Sequence, residues 1–370
     1  MHMIKFEWKK LCRLRVFISF LLMTILLIAC LFIRNDMQQD MVKAERVEFF
    51  RHHSSEVTSQ LVTDQKRQSE IGEGADSRLE ESIEVGKTLY AKLQDLITHI
   101  TEDGHMKALQ LENDVYELAM HYQSLDKRYP MSQPEMEDEI KLNNKLLKNE
   151  LPKENLAISI QPAVFMKQTV QLFVNTFGFF ILLVIIGTPI AREFDDETIK
   201  LTYVLPISST RMVVSKWISL VLAGMAWLFV VFLSAYTISR LFGSEVKNPF
   251  NYPFFTKDMT FISAGDYVQQ SIIFSVIYLF VLMSVFICLS FLVKNTLIVH
   301  IVLFILFSIN VLVIKKGGAH PLLPWSYQDL DFTVLQHEAA SWLGAIFSFL
   351  VTIIMLLLAI KASQRRDYQS

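Results

Sequence analysis

The sequence predicts an all-α polytopic membrane protein: six transmembrane helices, with a helical, coiled-coil-like extracytoplasmic insert between the first and the second. Three observations predict it. Hydrophobic residues make up 52% of the 370, and 28 residues are Phe, more apolar than a soluble domain of this size. These residues gather in uninterrupted runs of about 20, the length that crosses the hydrocarbon core of a bilayer as a helix. After the first run comes a long polar stretch whose apolar positions recur in steps of three and four. The net charge of −2 gives no basic excess for nucleic acid. Cys12, Cys30 and Cys288 stand too far apart to suggest a disulfide framework or a metal pair.

Residues 1–33 hold an interfacial helix and the first span. Ile4, Trp8 and Leu11 share one helical face, while Lys5, Lys9 and Arg13 point elsewhere. That pattern suits a helix lying in the membrane surface, with Trp8 as its anchor at headgroup depth. The span itself is residues 16–33. The five cations before it, Lys5, Lys9, Lys10, Arg13 and Arg15, place the N-terminus in the cytoplasm. Leu27-Ile28-Ala29-Cys30 resembles a lipobox, but Leu31, Phe32 and Ile33 continue the apolar run, so an uncleaved anchor is the better reading.

Residues 34–164 form the insert. Residues 35–68 read as a stalk extending the first span, and 69–76 as a flexible joint. Leu79, Ile83, Gly86, Tyr90, Leu93, Ile97 and Ile100 make one heptad-like seam, and Leu111, Val115, Leu118, Tyr122, Leu125 and Tyr129 another. The Asp103-Gly104 turn signal between them predicts a helical hairpin. A third helix, 135–151, follows Pro130 and Pro134 and carries Met136, Ile140, Asn143 and Leu147 at similar spacing.

Residues 165–370 return to the membrane. The remaining spans fall near 166–190, 217–239, 269–293, 296–314 and 342–360. The aromatic segment 240–268 is expected at the outer interface. Both ends then lie inside: the inner segments hold thirteen Lys or Arg, the two shorter outer loops five. Between the second and third spans, residues 191–216 are the one long polar loop on the inner side. As a helix, Phe194, Thr198, Leu201 and Leu205 make one face, and Asp195, Asp196, Glu197 and Lys200 a charged remainder. Pro206 ends that helix, and Ser208, Ser209 and Thr210 offer caps for the next. Such an element suits docking to a soluble partner, although an ordinary solvated loop has the same composition.

No catalytic pattern survives. His337-Glu338-Ala339-Ala340-Ser341 begins like a zinc-protease helix, but Ser341 stands where a second imidazole is needed. His52, His53, His99, His105 and His121 read as solvated. No phosphate-binding GxxxxGK[ST] occurs, so the chain is expected to be no enzyme and to hold no cofactor of its own. Asn175, His300 and Asn310 fall inside spans. They either line a path or hydrogen-bond helix to helix as packing. Few charges occur in the spans, which favours an apolar or amphipathic cargo over an ion-coupled relay.

The membrane part resembles the permease subunit of ABC-2-type ATP-binding-cassette exporters. The residues that carry the resemblance are Glu193, Thr198-Ile199, Leu205-Pro206-Ile207-Ser208 and Lys216, with Glu197 standing where the family usually has Gly. Leu323-Pro324-Trp325-Ser326-Tyr327 is similar to a pattern of peptide-export and immunity permeases. The resemblance implies a multi-pass plasma-membrane protein with both termini cytoplasmic. It implies that a separate subunit binds ATP, and that Arg192, Glu193, Phe194, Glu197, Thr198, Leu201, Pro206 and Lys216 couple to it. A second permease chain, identical or related, and membrane lipid complete the expected partners. On this reading, replacing Glu193 or Phe194 uncouples the ATPase without unfolding the chain. The alternative is a non-transporting membrane sensor or scaffold whose coiled external domain binds a ligand or partner.

Overall fold

In the computed structural model, the described residues are 2–13, 15–72, 76–204, 206–258, 260–314, 316, 320, 322–336 and 341–364. Leu205, the 337–341 motif apart from Ser341, and Arg365 and Arg366 therefore lie outside them. Six helices among the described residues are long and apolar enough to cross a membrane. The chain divides into two compact units: Met1–Phe32 with Phe165–Gly243 and Phe254–Ser370, and Ile33–Val164 with Ser244–Pro253.

The first unit is a helical bundle. It begins with α1 (His2–Arg13) and α2 (Arg15–Met37). The second crossing differs from expectation: it is broken into α7 (Pro162–Phe173) and α8 (Thr176–Asp195). The break has a local cause. The Asn175 side chain accepts from the Gly178 N–H and donates to the carbonyls of Gln171 and Leu172. A Cβ on Gly178 would stand 1.7 Å from the Phe173 carbonyl oxygen, so only glycine permits this approach. After the short α9 (Ile199–Tyr203), α10 (Ser209–Phe242) begins eight residues earlier than hydropathy suggested, capped by the Ser208 side chain. The centre of the unit is α11 (Ala264–Val293), which packs on α8, α10, α12 (Thr296–Val313) and α14 (Trp342–Gln364). Small residues let these helices approach. Gly187 lies against the Phe286 ring and Gly224 against Leu279, while Phe179 meets Trp227 and Tyr278 edge-on. Lys294, in the left-handed region at φ 61°, and the Asn295 cap make the turn between α11 and α12. A short helix, α13 (Leu330–Gln336), precedes α14.

The second unit packs four helices: α3 (Gln39–Ile71), α4 (Ser77–Thr101), α5 (His105–Ser124) and α6 (Gln133–Lys148). The expected stalk is corrected here. α3 buries Phe50, Val57 and Leu61 against α4, so it belongs to the core. α4 is flanked on two sides, by α3 and α5. That explains why Leu89 and Leu96 are buried beside the expected seam, while Tyr90 remains exposed. A Cβ on Gly86 would meet Leu61 at 2.7 Å and Tyr122 at 3.2 Å, one from each neighbour. The chain turns between α4 and α5 as predicted, but Asp103 takes the left-handed position at φ 60°, not Gly104. The Glu135 carboxylate accepts from the Ser132 N–H and hydroxyl to start α6.

Two further expectations change. His53 is buried, not solvated: its Nδ1 meets the Tyr129 hydroxyl at 2.9 Å. Part of the aromatic segment assigned to the outer interface, 244–253, belongs to the insert's unit, where the buried Tyr252 hydroxyl accepts from the Glu154 N–H. Its continuation forms a two-stranded hairpin, Pro253–Phe255 with Phe261–Ser263.

Candidate functional site

The polar segment between α8 and α10 is not the single helix that its spacing suggested. α8 ends at Asp195, Glu197 turns the chain in the left-handed region at φ 54°, and α9 adds little more than one turn. Glutamate carries a Cβ that disfavours this conformation. The position where the related family usually has Gly is therefore the one that needs glycine's freedom. The amphipathic face breaks here. Phe194 is buried, whereas Thr198 is exposed and Leu201 is 71% exposed.

At the end of α8 lies a group of four charges, of which Glu7, Glu193 and Lys216 are buried and Lys10 is partly exposed. The Lys216 ammonium on α10 is fully buried and donates to Glu7 of α1 at 2.7 Å and to Glu193 of α8 at 2.6 Å. The other Glu193 oxygen accepts from Lys10 of α1 at 2.5 Å. Two carboxylates and two ammonium groups sum to zero, and each charge has a partner. Burying one of them alone would cost several kcal/mol, about 3–5 when a partner is removed. The group thus fixes three helices to one another: α1 by Glu7 and Lys10, α8 by Glu193, α10 by Lys216.

Further contacts seat the end of α8. Phe194 meets Phe291 of α11 edge-on at 4.9 Å. Both Asp195 carboxylate oxygens accept from the Thr296 N–H at 3.2 Å, where the N-terminal end of α12 favours negative charge. The Thr198 hydroxyl donates to the Glu193 carbonyl, and Ile199 is buried. What remains on the surface is Arg192, Thr198, the Glu197–Lys200 pair, Leu201, Val204 at 84% exposure, and Pro206. Two large apolar side chains, Leu201 and Val204, thus stand in the open.

The structure therefore brings Glu193 and Lys216 together, with Phe194 beside them, as internal fasteners. Replacing Glu193 takes away the carboxylate of Lys10 and one of the two carboxylates of Lys216, so the change bears on helix packing as well as on coupling. Glu7 was not singled out from sequence, and Lys10 and Asp195 were read there as surface charges and not as fasteners. Glu7 had a signal: it is the one acid in a helix with four Lys or Arg, one turn from Lys10. Trp8 is half-buried on α1, which packs along α10.

The three polar residues of the spans each have local partners. Asn175 caps α8, as described. His300 places Nδ1 2.7 Å from the Thr296 carbonyl and Nε2 3.3 Å from the Thr188 hydroxyl, tying α12 to α8. Asn310 donates to Gln328 at 3.3 Å. They are not gathered into one cluster: His300 and Asn310 are separated by about 15 Å along α12.

A search among curated proteins returned no match, and one among solved structures returned none. A family model described as ABC-2 family transporter protein matches residues 1–368. That match covers the insert as well as the spans, and it agrees with six helices of membrane-crossing length and apolarity. The chain belongs to the ABC-2 transporter family, as a membrane-embedded transport component.

Proposed function

We propose that the chain is the permease subunit of an ABC exporter, forming the path for a peptide, lipid or other amphipathic molecule and drawing its energy from a separate ATP-binding subunit. The spans lie in the plasma membrane with both termini in the cytoplasm, and two permease chains enclose the path. The ATP-binding subunit docks on α9 and its flanks. The observation that carries this reading is the exposure of Leu201 and Val204 on the short helix that follows Glu193, a member of the Glu7–Lys216–Glu193–Lys10 group. Apolar side chains held in water at a fixed point offer burial to a partner, worth roughly 25 cal/mol per Å² of apolar area covered. A push on α9 reaches α8 within one turn and α1 and α10 through ionic contacts. Force applied at one point is thereby divided among three helices.

The test is co-purification with the ATP-binding subunit. Leu201→Asp and Val204→Asp change only exposed positions, so thermal unfolding should match the parent while recovery of the subunit falls at least tenfold. Recovery at parental yield from both variants would remove α9 as the docking element.

A further inference from the structure

The insert's unit contains a half-open cavity of about 770 Å³. It lies between the N-terminal end of α3, the α4–α5 turn, the strap 150–160 that follows α6, and residues 244–247. Its size falls within the range of small-molecule sites, roughly 300–1,000 Å³. Val42, Ile100, Met106, Pro152, Ile160 and Val246 supply apolar wall.

The polar groups are unevenly balanced. Behind the wall, Glu112 is buried between Arg46 and Lys153, and Lys153 also reaches Glu139. Burial alone would push the Glu112 carboxyl up, but Lys153 and Arg46 outweigh it and hold it at about 2. Both cations are thus committed to Glu112 and Glu139. Glu154 lines the same cavity; its carboxylate accepts from the Ser159 hydroxyl at 2.8 Å and feels the Arg46 charge without forming an ion pair with it. Two cations face three carboxylates. Burial pushes the Glu154 carboxyl up, the Ser159 hydroxyl and the Arg46 charge only partly offsetting it. At the mouth, Lys43 pairs with Asp103 and Lys247 with Glu150, while Asp40 and Glu245 add negative charge.

We infer that this cavity binds a small organic cation, an amine or guanidine joined to an apolar body, with Glu154 as its counter-ion. The charge surplus calls for a positive group. The apolar wall and the volume call for a body larger than a bare ion. Among the described residues no group of three or more His, Cys, Asp or Glu is placed to hold a metal ion. The inference does not depend on the docking of an ATP-binding subunit, and occupancy of the cavity requires neither ATP nor transport.

The test uses the full chain in lipid nanodiscs, with dansylcadaverine as a fluorescent primary amine and dansylamide as its uncharged counterpart. The expected result is saturable dansylcadaverine binding above empty nanodiscs. Glu154→Gln should weaken it at least tenfold and leave dansylamide unaffected. Val246→Trp, at the cavity mouth and away from the charge cluster, should block the amine with helix content unchanged. Absence of saturable binding to the parent chain overturns the inference. So does equal affinity in Glu154→Gln, which removes the counter-ion, or in Val246→Trp, which removes the cavity.

Discussion

Replacing Lys216 by Met keeps the length of the side chain and removes one charge from a closed group of four. Glu7, 3% exposed, then has no cation, because Lys10 is already bonded to Glu193. An unpaired buried carboxylate costs about 3–5 kcal/mol. Glu7 escapes that cost when α1 lifts off α10, so the penalty falls on α1 docking more than on the rest of the bundle. Hydrogen exchange of the α1 amides reads this opening directly. At about 1.4 kcal/mol per factor of ten, protection of α1 should fall by roughly two to three and a half orders of magnitude. The double variant Glu7→Gln, Lys216→Met removes the stranded charge while leaving the Lys10–Glu193 pair, and should regain at least half of the lost protection on a logarithmic scale. The reasoning fails if Lys216→Met leaves α1 exchange within threefold of the parent, or if the double variant exchanges as fast as the single one.

Glu197→Gly should stabilise the α8–α9 turn by about 0.5–1 kcal/mol, the left-handed cost relieved less the added chain entropy; a lowered Tm would contradict it. Gly178→Ala drives a Cβ into the Phe173 carbonyl and should cost ~3 kcal/mol or more, read as loss of folded protein in detergent, whereas parental stability would mean the α7–α8 break is absent. Acid should loosen the insert in two stages. His53, lowered from 6.5 to about 4 by burial and by His52, contributes fully above pH 6.5 and progressively less as pH falls to 4. Glu112, held at about 2 against an unfolded value of 4.5, contributes ~3 kcal/mol above pH 4.5, lost as pH falls towards 2. Near-ultraviolet circular dichroism of the full chain should show both stages, and Glu112→Gln should erase only the lower one.

The spans were legible because a bilayer imposes a length and a composition that a sequence cannot disguise. The helical hairpin of the insert was legible from its three-and-four spacing, though spacing gives one face per helix and α4 packs on two. What escaped was set by distant or single-residue geometry. Nothing in the hydropathy of residues 166–190 marks Asn175 and Gly178 as a break, since both are tolerated in continuous spans. The 191–216 periodicity continued across Glu197, and only the backbone angle there interrupts it. Glu193 and Lys216 could be picked out only through the family resemblance. Their buried partner Glu7 sits in a helix whose other charges read as membrane-surface cations. The partnership joins residues 209 apart, and no local pattern reports it.

That separation sets an order of assembly. Glu7 leaves the ribosome early, and its ammonium partner is added 209 residues afterwards. At about 5–20 residues per second, synthesis makes the N-terminal segment wait on the order of ten to forty seconds before its seat exists. During that interval its acid and its lysines remain in water or among lipid headgroups. Docking of α1 is then a late step in biogenesis, one that reports whether the first three crossings have been threaded correctly.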